Sequence, residues 1–238
     1  MPAPEAVIRY YETNYSQDRT HAKQREYDKT MRRRAVAQSD FMEQFVKLSG
    51  KTALDYGCGY AWLVQEMQKR GAAAAGYEYD DRCIEAAAAR GLEVRKMRSE
   101  AEVADFPEVH VITASHVVEH LMHPAETLKH IREKSDYFFL EVPHYDRDLK
   151  DQWRNLLGHT QFFNPESLRL LCERTGFEVL HLDRYGPSMN FQWTERWQYW
   201  QRKIKQVFFW HTFDYFFGQY SRPNPQGIWI RALLKPHS

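Results

Sequence analysis

Residues 52–59 read Thr-Ala-Leu-Asp-Tyr-Gly-Cys-Gly, a short apolar run that ends in an acid and two glycines. The run at 52–56 is typical of a buried β-strand, and the glycines allow the chain to turn sharply behind it. Residues 62–70 follow with the apolar spacing of a helix. A strand, a glycine turn and a helix in this order begin a βαβ unit, so the stretch predicts an α/β fold.

The same alternation of apolar runs and helical patterns continues along the chain. Asn164 and Pro165 suit the start of a helix, and Gly176 suits its end. The pattern predicts a Rossmann-like, mostly parallel sheet with helices on both faces. We expect strands at 52–56, 73–79, 92–97, 109–115, 137–142, 177–182 and 228–234, and helices at 62–70, 81–89, 125–134 and 165–175.

Two segments lie outside this pattern. Residues 1–48 are polar and predict an N-terminal helical cap, whereas 187–225 are rich in aromatic side chains and predict a helical insertion before the last strand. The core would then comprise 49–186 plus 226–238. Three interpretations of the insertion stay open: a flap that fills its own core, a wall around the substrate, or a contact with a membrane surface or another subunit.

Composition excludes several classes of protein. The net charge of +1 disfavours nucleic acid as a partner, and the basic run at 32–34 is interpreted as a solvated helix face. Three scattered cysteines (Cys58, Cys83 and Cys172) fit neither a disulfide framework nor a zinc cluster. Without a signal peptide or an apolar stretch long enough to span a bilayer, the chain is expected to be cytoplasmic and metal-independent.

The glycine loop itself discriminates between ligands. A dinucleotide fingerprint needs a third glycine where this chain has Trp62, and the carboxylate of Asp55 would repel a pyrophosphate. Asp55 would instead attract an ammonium group. S-adenosylmethionine carries an ammonium and a sulfonium but no phosphate, so the loop favours this cofactor over NAD.

A second acid supports this interpretation. Glu78 follows the loop by about twenty residues, at the end of the second predicted strand, where a carboxylate can accept both ribose hydroxyls. Its alternative role is to neutralise the next helix, for which Asp80 and Asp81 are better placed. Tyr79 is expected to lie against the adenine.

Together these residues resemble the class I S-adenosylmethionine-dependent methyltransferases, in the small-molecule O-methyltransferase branch related to ubiquinone biosynthesis. The resemblance covers residues 51–183 and includes residues 115–121 (Ser-His-Val-Val-Glu-His-Leu), 141–143 (Glu-Val-Pro) and 159–168. It implies a seven-stranded sheet whose last strand is antiparallel, S-adenosylhomocysteine as product and a small-molecule acceptor. It also implies a set of cofactor-binding residues: Asp55, Gly57, Cys58, Gly59, Glu78, Tyr79, Ser115 and His116.

Proton removal from a hydroxyl acceptor suits a histidine on a loop after a strand. His144 follows the fifth predicted strand and His159 precedes a helix, so these two are the candidate bases. Glu119 and His120 are interpreted as a structural pair that ties their turn to the sheet. A cofactor-binding module without turnover and an NAD-dependent oxidoreductase remain as alternatives, and oligomer formation stays open.

Overall fold

The computed structural model describes residues 21–145, 159–188 and 221–237. Within these residues the α-helices are α1 (His21–Met42), α2 (Trp62–Lys69), α3 (Asp81–Ala88), α4 (Pro124–Lys134) and α5 (Pro165–Arg174). Two short 3-10 helices span Glu100–Asp105 and Val118–His120. The strands are β1 (Thr52–Tyr56), β2 (Ala73–Glu78), β3 (Val94–Lys96), β4 (Val109–Ser115), β5 (Ser135–Pro143), β6 (Phe177–Ser188) and β7 (Gly227–Pro236).

These strands form one sheet in the order β3-β2-β1-β4-β5-β7-β6. Strands β1 to β5 are parallel, and β7 runs antiparallel to both of its neighbours. The strand order reverses between β1 and β4, which is where open α/β sheets bind ligands. The predicted seven-stranded sheet with an antiparallel last strand is therefore confirmed.

Strand β6 is longer than its sequence pattern indicated. The sequence predicted a strand at 177–182. Gly186 and Pro187, which usually interrupt strands, follow shortly after it. It continues to Ser188 because it pairs with β7, and a register shift between Tyr185 and Ser188 accommodates the interruption. As β6 lies at the sheet edge, the missing N–H of Pro187 leaves the sheet interior intact.

The core lies on both faces of the sheet because neighbouring residues of each strand point to opposite sides. On β1, Leu54 packs into the layer that contains Leu128 of α4 and Leu168 of α5. Ala53 faces the other layer, which contains Leu63 of α2 and Phe41 of α1. The helices thus cover both faces, as predicted.

The described part of the predicted N-terminal cap is helical, and α1 packs against α2. Phe41 and Met42 of α1 are fully buried in the same layer as Phe139 of β5. Most of the predicted aromatic insertion, residues 189–220, lies outside the described residues, so its role and the proposed division into cap, core and insertion stay predictions. None of the helices within the described ranges is long and apolar enough to cross a bilayer.

Candidate cofactor and active site

The glycine loop is held tightly behind β1. The backbone N–H of Gly57 donates to the carbonyl of Tyr77 at 2.9 Å. Gly57 has a φ of +66°, and a Cβ at this position would lie only 2.5 Å from Cγ2 of Val117. Both the left-handed backbone and the close approach of Val117 require glycine here. The loop can therefore pass close to the end of β4.

Glu78, at the end of β2, faces this loop. Its carboxylate accepts backbone hydrogen bonds from Gly59 at 2.6 Å, Tyr79 at 2.7 Å and Asp80 at 3.0 Å. Burial raises the pKa of Glu78, and these N–H donors counteract part of the shift. A carboxylate has about four acceptor positions, so three are used to fix the side chain and one is left for a ligand hydroxyl.

Asp55, at the carboxyl end of β1, is 3% exposed. The hydroxyl of Thr113 on the adjacent strand β4 donates to its Oδ1 at 2.6 Å. Burial raises the pKa of Asp55 to about 7, although the hydrogen bond from Thr113 works against the shift. Asp55 therefore titrates near neutral pH, and a nearby cation would favour its ionised form.

These residues surround a cavity of about 560 Å³ at the point where the strand order reverses. One of the two candidate bases, His159, also lines it. The cavity thus brings together all eight predicted cofactor-binding residues: Asp55, Gly57, Cys58, Gly59, Glu78, Tyr79, Ser115 and His116.

His144 does not line this cavity. It is 4% exposed, and its backbone N–H donates to the carbonyl of Ile228 at 2.8 Å. It also forms an isolated parallel β-bridge with Phe163. The chain at the carboxyl end of β5 is here paired with β7 and with the segment before α5. Of the two candidate bases, only His159 therefore lines the cavity.

His159 is half-buried at the edge of the cavity. Its Nδ1 lies 2.6 Å from the hydroxyl of Tyr145, and its ring packs edge-on against His120 with centroids 4.4 Å apart. Burial, followed by the charge of His120, lowers the pKa of His159 to about 4. His159 is therefore neutral at pH 7 and has a lone pair that can accept a proton.

Glu119 lies beside two histidines of the cavity wall, His116 and His120. Its fully buried carboxylate lies 3.3 Å from Nδ1 of His116 and 3.8 Å from Nε2 of His120. Burial alone would raise the pKa of Glu119, but His116 and then His120 outweigh it and lower the value. The Glu119 carbonyl also accepts from the N–H groups of Thr160 and Gln161, which ties the segment after His159 to this turn.

Glu119, His120 and His159 together offer the kinds of donor atom that bind a metal ion. Donor atoms of Glu119, His120 and His159 all lie within 4.8 Å of one another. A tetrahedral zinc ion with bonds of about 2.0–2.2 Å would need donor atoms roughly 3.3–3.6 Å apart. Oε1 of Glu119 and Nε2 of His120 are 3.8 Å apart, slightly more than this. The expectation of a metal-independent site stays a prediction.

Sequence reasoning missed the contribution of α1. Arg34 was interpreted as part of a solvated basic face, but it is 8% exposed and lines the cavity together with Gln38. Its Nε donates to Oε1 of Glu141 at 2.7 Å. The helical spacing of Arg34, Gln38 and the buried Phe41 was the available signal, although only the packed structure pairs Arg34 with an acid 107 residues away.

Comparison with known proteins agrees with this geometry. A family model described as "Methyltransferase domain" matches residues 27–182. This chain belongs to the methyltransferase domain family. The predicted enzyme class, with S-adenosylmethionine as methyl donor, is thereby confirmed at the level of the family.

The ubiquinone biosynthesis O-methyltransferase of Leptothrix cholodnii is 27% identical over 180 residues, which are 65% of this chain and 77% of that protein. The enzyme of the same name from Nitrosospira multiformis is 30% identical over 63% of this chain and 71% of its own length. Magnesium protoporphyrin IX methyltransferase from Synechocystis, crystallised with bound S-adenosylhomocysteine, shares the fold with a TM-score of 0.61. It is 11% identical, with 99% of this chain and 100% of that chain covered.

Proposed function

We propose that this methyltransferase transfers the methyl group of S-adenosylmethionine to a hydroxyl group of a small acceptor. The observation that carries the proposal is the hydrogen bond from Gly59 N–H to Glu78 at 2.6 Å, at the sheet's reversal point and beside the buried Asp55. This arrangement offers one carboxylate to a ribose and another to an ammonium, with a glycine loop between them. The carboxylate of Asp55 would repel a pyrophosphate, and Trp62 stands where a dinucleotide-binding loop needs its third glycine.

The cofactor is proposed to lie along the carboxyl ends of β2, β1 and β4. Glu78 accepts from the ribose, and the ring of Tyr79 lies against the adenine. Gly57, Cys58 and Gly59 provide the surface beneath the nucleoside. Asp55 holds the ammonium, while Ser115 and His116 contact the rest of the amino-acid part.

Of the two candidate bases we favour His159, because it lines the cavity and is neutral at pH 7. The base function requires the tautomer in which Nδ1–H donates to the oxygen of Tyr145, which leaves the lone pair on Nε2. The acceptor oxygen attacks the methyl carbon in line with the departing sulfur. The C–S bond breaks with its electrons on sulfur, and the hydroxyl proton moves to Nε2.

The acceptor is proposed to be a saccharide, a nucleotide sugar or an isoprenoid-type ring. The names of the relatives, ubiquinone biosynthesis O-methyltransferases, favour a ring hydroxyl. His116, His120 and His159 line the cavity and provide hydrogen-bonding groups for such a hydroxyl.

Calorimetric titration tests the cofactor assignment. S-adenosylhomocysteine should bind and NAD should not, and Glu78→Gln should weaken S-adenosylhomocysteine binding about tenfold or more because a charged acceptor is lost. Glu93→Gln, at an exposed position, is the matched control and should bind normally. Binding of NAD in place of S-adenosylhomocysteine would reject the assignment.

Turnover tests the base. Release of S-adenosylhomocysteine is measured with a panel of nucleotide sugars and prenylated phenols. His159→Ala should lower kcat roughly 10²–10⁴-fold, the usual contribution of a general base, with unchanged cofactor affinity. His237→Ala, at an exposed position just after the end of β7, is the control. If His159→Ala retains full turnover, another group accepts the proton.

A further inference from the structure

Trp62, at the start of α2, lies between two arginines from different parts of the chain. Cζ of Arg32 on α1 is 4.1 Å from the centroid of the indole ring, and Cζ of Arg90, just after α3, is 3.8 Å from it. At these distances the two guanidinium groups cannot share one face of the ring without overlapping, so one covers each face. The two positive charges are therefore separated only by the thickness of this stack.

No carboxylate forms an ion pair with either arginine within the described part of the chain. Arg32 is exposed and Arg90 is half-buried. Burial, followed by the charge of Arg32, lowers the pKa of Arg90. The charge of Asp28 on α1 acts in the opposite direction, but its carboxylate is hydrogen-bonded to Gln24. The fold thus holds two like charges close together without an anion to compensate their repulsion.

Two N–H donors in the same place have no acceptor. Nε1 of Trp62 and Nη1 of Arg90 are both buried, and neither has a hydrogen-bond partner among the described residues. Trp62 as a whole is 8% exposed. Arg90 is otherwise fixed, since its Nε donates to the carbonyl of Ala86 at 3.2 Å and its Nη2 donates to the carbonyl of Tyr60. Buried donors are nearly always paired in folded proteins, so these two indicate a ligand with acceptor oxygens.

This cluster lies at the edge of the cofactor cavity. Tyr60 and Trp62 line the cavity, and so does Met31, which precedes Arg32 on α1. Arg32 and Arg90 themselves are not among the lining residues. The unpaired donors are therefore next to the cavity but separate from the two carboxylates that face the methyl donor.

We propose that Arg32, Arg90 and the indole N–H of Trp62 form a binding site for a phosphate group at the edge of the cavity. A terminal phosphate carries up to two negative charges, which match the two guanidinium groups, and three free oxygens, which match donors on both faces and at the edge of the ring. A carboxylate has one charge and two oxygens, so it satisfies only part of this set. Arg32 is exposed and flexible, so it can move aside to admit the ligand.

The phosphate group can come from two sources. It belongs either to the methyl acceptor, as in a nucleotide sugar, or to a separate small molecule that binds beside the cavity. Both sources require the same three donors. The site itself does not depend on the proposed function, because none of these donors belongs to the proposed cofactor-binding residues.

Calorimetric titration with inorganic pyrophosphate, at constant ionic strength and without methyl donor, tests the site. Pyrophosphate should bind wild type, and acetate at the same concentration should not. Arg32→Gln should weaken pyrophosphate binding about 10- to 100-fold, the usual effect of losing a hydrogen bond to a charged group. Arg25→Gln is the matched control: it removes an exposed arginine two turns earlier on α1 and should bind as wild type does.

A second pair of variants tests the buried donors. Trp62→Phe keeps an aromatic ring between the arginines but removes the indole N–H, and it should weaken pyrophosphate binding severalfold. Arg90→Gln should weaken it at least as much as Arg32→Gln does. Urea denaturation of each variant shows whether it is folded under the conditions of the titration.

Turnover distinguishes the two sources of the phosphate. If the KM of Arg32→Gln rises about tenfold or more for nucleotide sugars and stays unchanged for prenylated phenols, the phosphate belongs to the acceptor. If pyrophosphate binding is lost in this variant while the KM values of both acceptor classes stay unchanged, a separate molecule carries the phosphate. Either result supports the site.

Three results would overturn the proposal. One is that pyrophosphate does not bind wild type. Another is that Arg25→Gln weakens binding as much as Arg32→Gln, since pyrophosphate would then respond only to the overall positive charge of α1. The third is that Arg32→Gln and Arg90→Gln lower stability without changing pyrophosphate affinity, since the arginines would then only stack on Trp62. A failure of S-adenosylhomocysteine to bind would reject the proposed function but leave this site unaffected.

Discussion

At the scale of single residues, burial changes the chemistry of Asp55. Its carboxyl lies in the sheet interior with one hydrogen bond from Thr113, and its pKa is raised to about 7. An exposed aspartate would be ionised throughout the physiological range. Here, ionisation requires either a higher pH or a cation in the cavity, so ligand binding and proton release are coupled.

This coupling predicts the pH dependence of cofactor binding. Below about pH 7 a proton competes with the ligand's ammonium for Asp55, so affinity for S-adenosylhomocysteine should rise with pH, by up to about tenfold per pH unit, and level off above pH 7. Calorimetry between about pH 5.5 and 8.5 measures this slope. In Asp55→Asn the affinity should be lower and nearly independent of pH; a slope equal to that of wild type would assign the titration to another group.

Gly57 provides a second prediction at this scale. Gly57→Ala combines a left-handed backbone with a Cβ only 2.5 Å from Val117, so we expect a loss of about 2–4 kcal/mol in the free energy of unfolding. Gly50→Ala has a similar φ of +74° and nothing within 4 Å of its Cβ, so it reports the backbone cost alone, about 1–2 kcal/mol. Urea denaturation compares the two, and equal losses would exclude the contact with Val117 as the cause.

At the scale of elements, α5 shows local sequence and tertiary structure in agreement. Asn164 precedes the helix and accepts from the N–H of Ser167 at 2.8 Å, and the Ser167 hydroxyl accepts from the N–H of Asn164 at 3.0 Å. Pro165 occupies the first turn, and Gly176 after the helix has a φ of +89°. All three features were predicted, because caps depend on residues within a few positions of one another.

Removing the cap should destabilise the protein measurably. Asn164→Ala leaves the N–H of Ser167 without its side-chain acceptor, and we expect a loss of about 1 kcal/mol in the free energy of unfolding, measured by urea denaturation. Asn164→Asp retains an acceptor and should remain close to wild type. A stability of Asn164→Ala equal to that of Asn164→Asp would show that solvent replaces the cap without cost.

At the scale of the whole molecule, one buried carboxylate joins three distant elements. Glu141 of β5 binds Arg34 of α1 and Arg231 of β7, and both Glu141 and Arg231 are fully buried. Burial alone would raise the pKa of Glu141, but the charges of Arg231 and then Arg34 outweigh it and lower the value to about 2. The pairing therefore stabilises the fold above pH 4.5, and this contribution is lost as the pH falls toward 2.

Breaking this pairing should be costly. Glu141→Gln leaves two buried guanidinium groups without their shared carboxylate, and we expect a loss of about 3–5 kcal/mol in the free energy of unfolding at pH 7. Denaturation with urea at several pH values measures it. Between pH 4.5 and 2 wild type should lose more stability than the variant, whereas Glu93→Gln should follow wild type throughout. Parallel curves for wild type and Glu141→Gln would show that other groups govern acid unfolding.

The sequence alone determined the features that depend on nearby residues. Hydrophobic periodicity predicted the strands and helices. The order of Asp55, the glycine loop and Glu78 predicted a group of residues that the structure places around one cavity. Only the tertiary structure decided which distant residues join them. In the folded chain, His144 pairs with β7, whereas His159 lines the cavity. Arg34 looks like a surface residue from the sequence of its own helix, but it is buried against Glu141. The physical reason is the range of the interactions in sequence. Caps, turns and strand patterns depend on residues a few positions apart, whereas the environment of a charged group depends on whichever distant residues the fold packs against it.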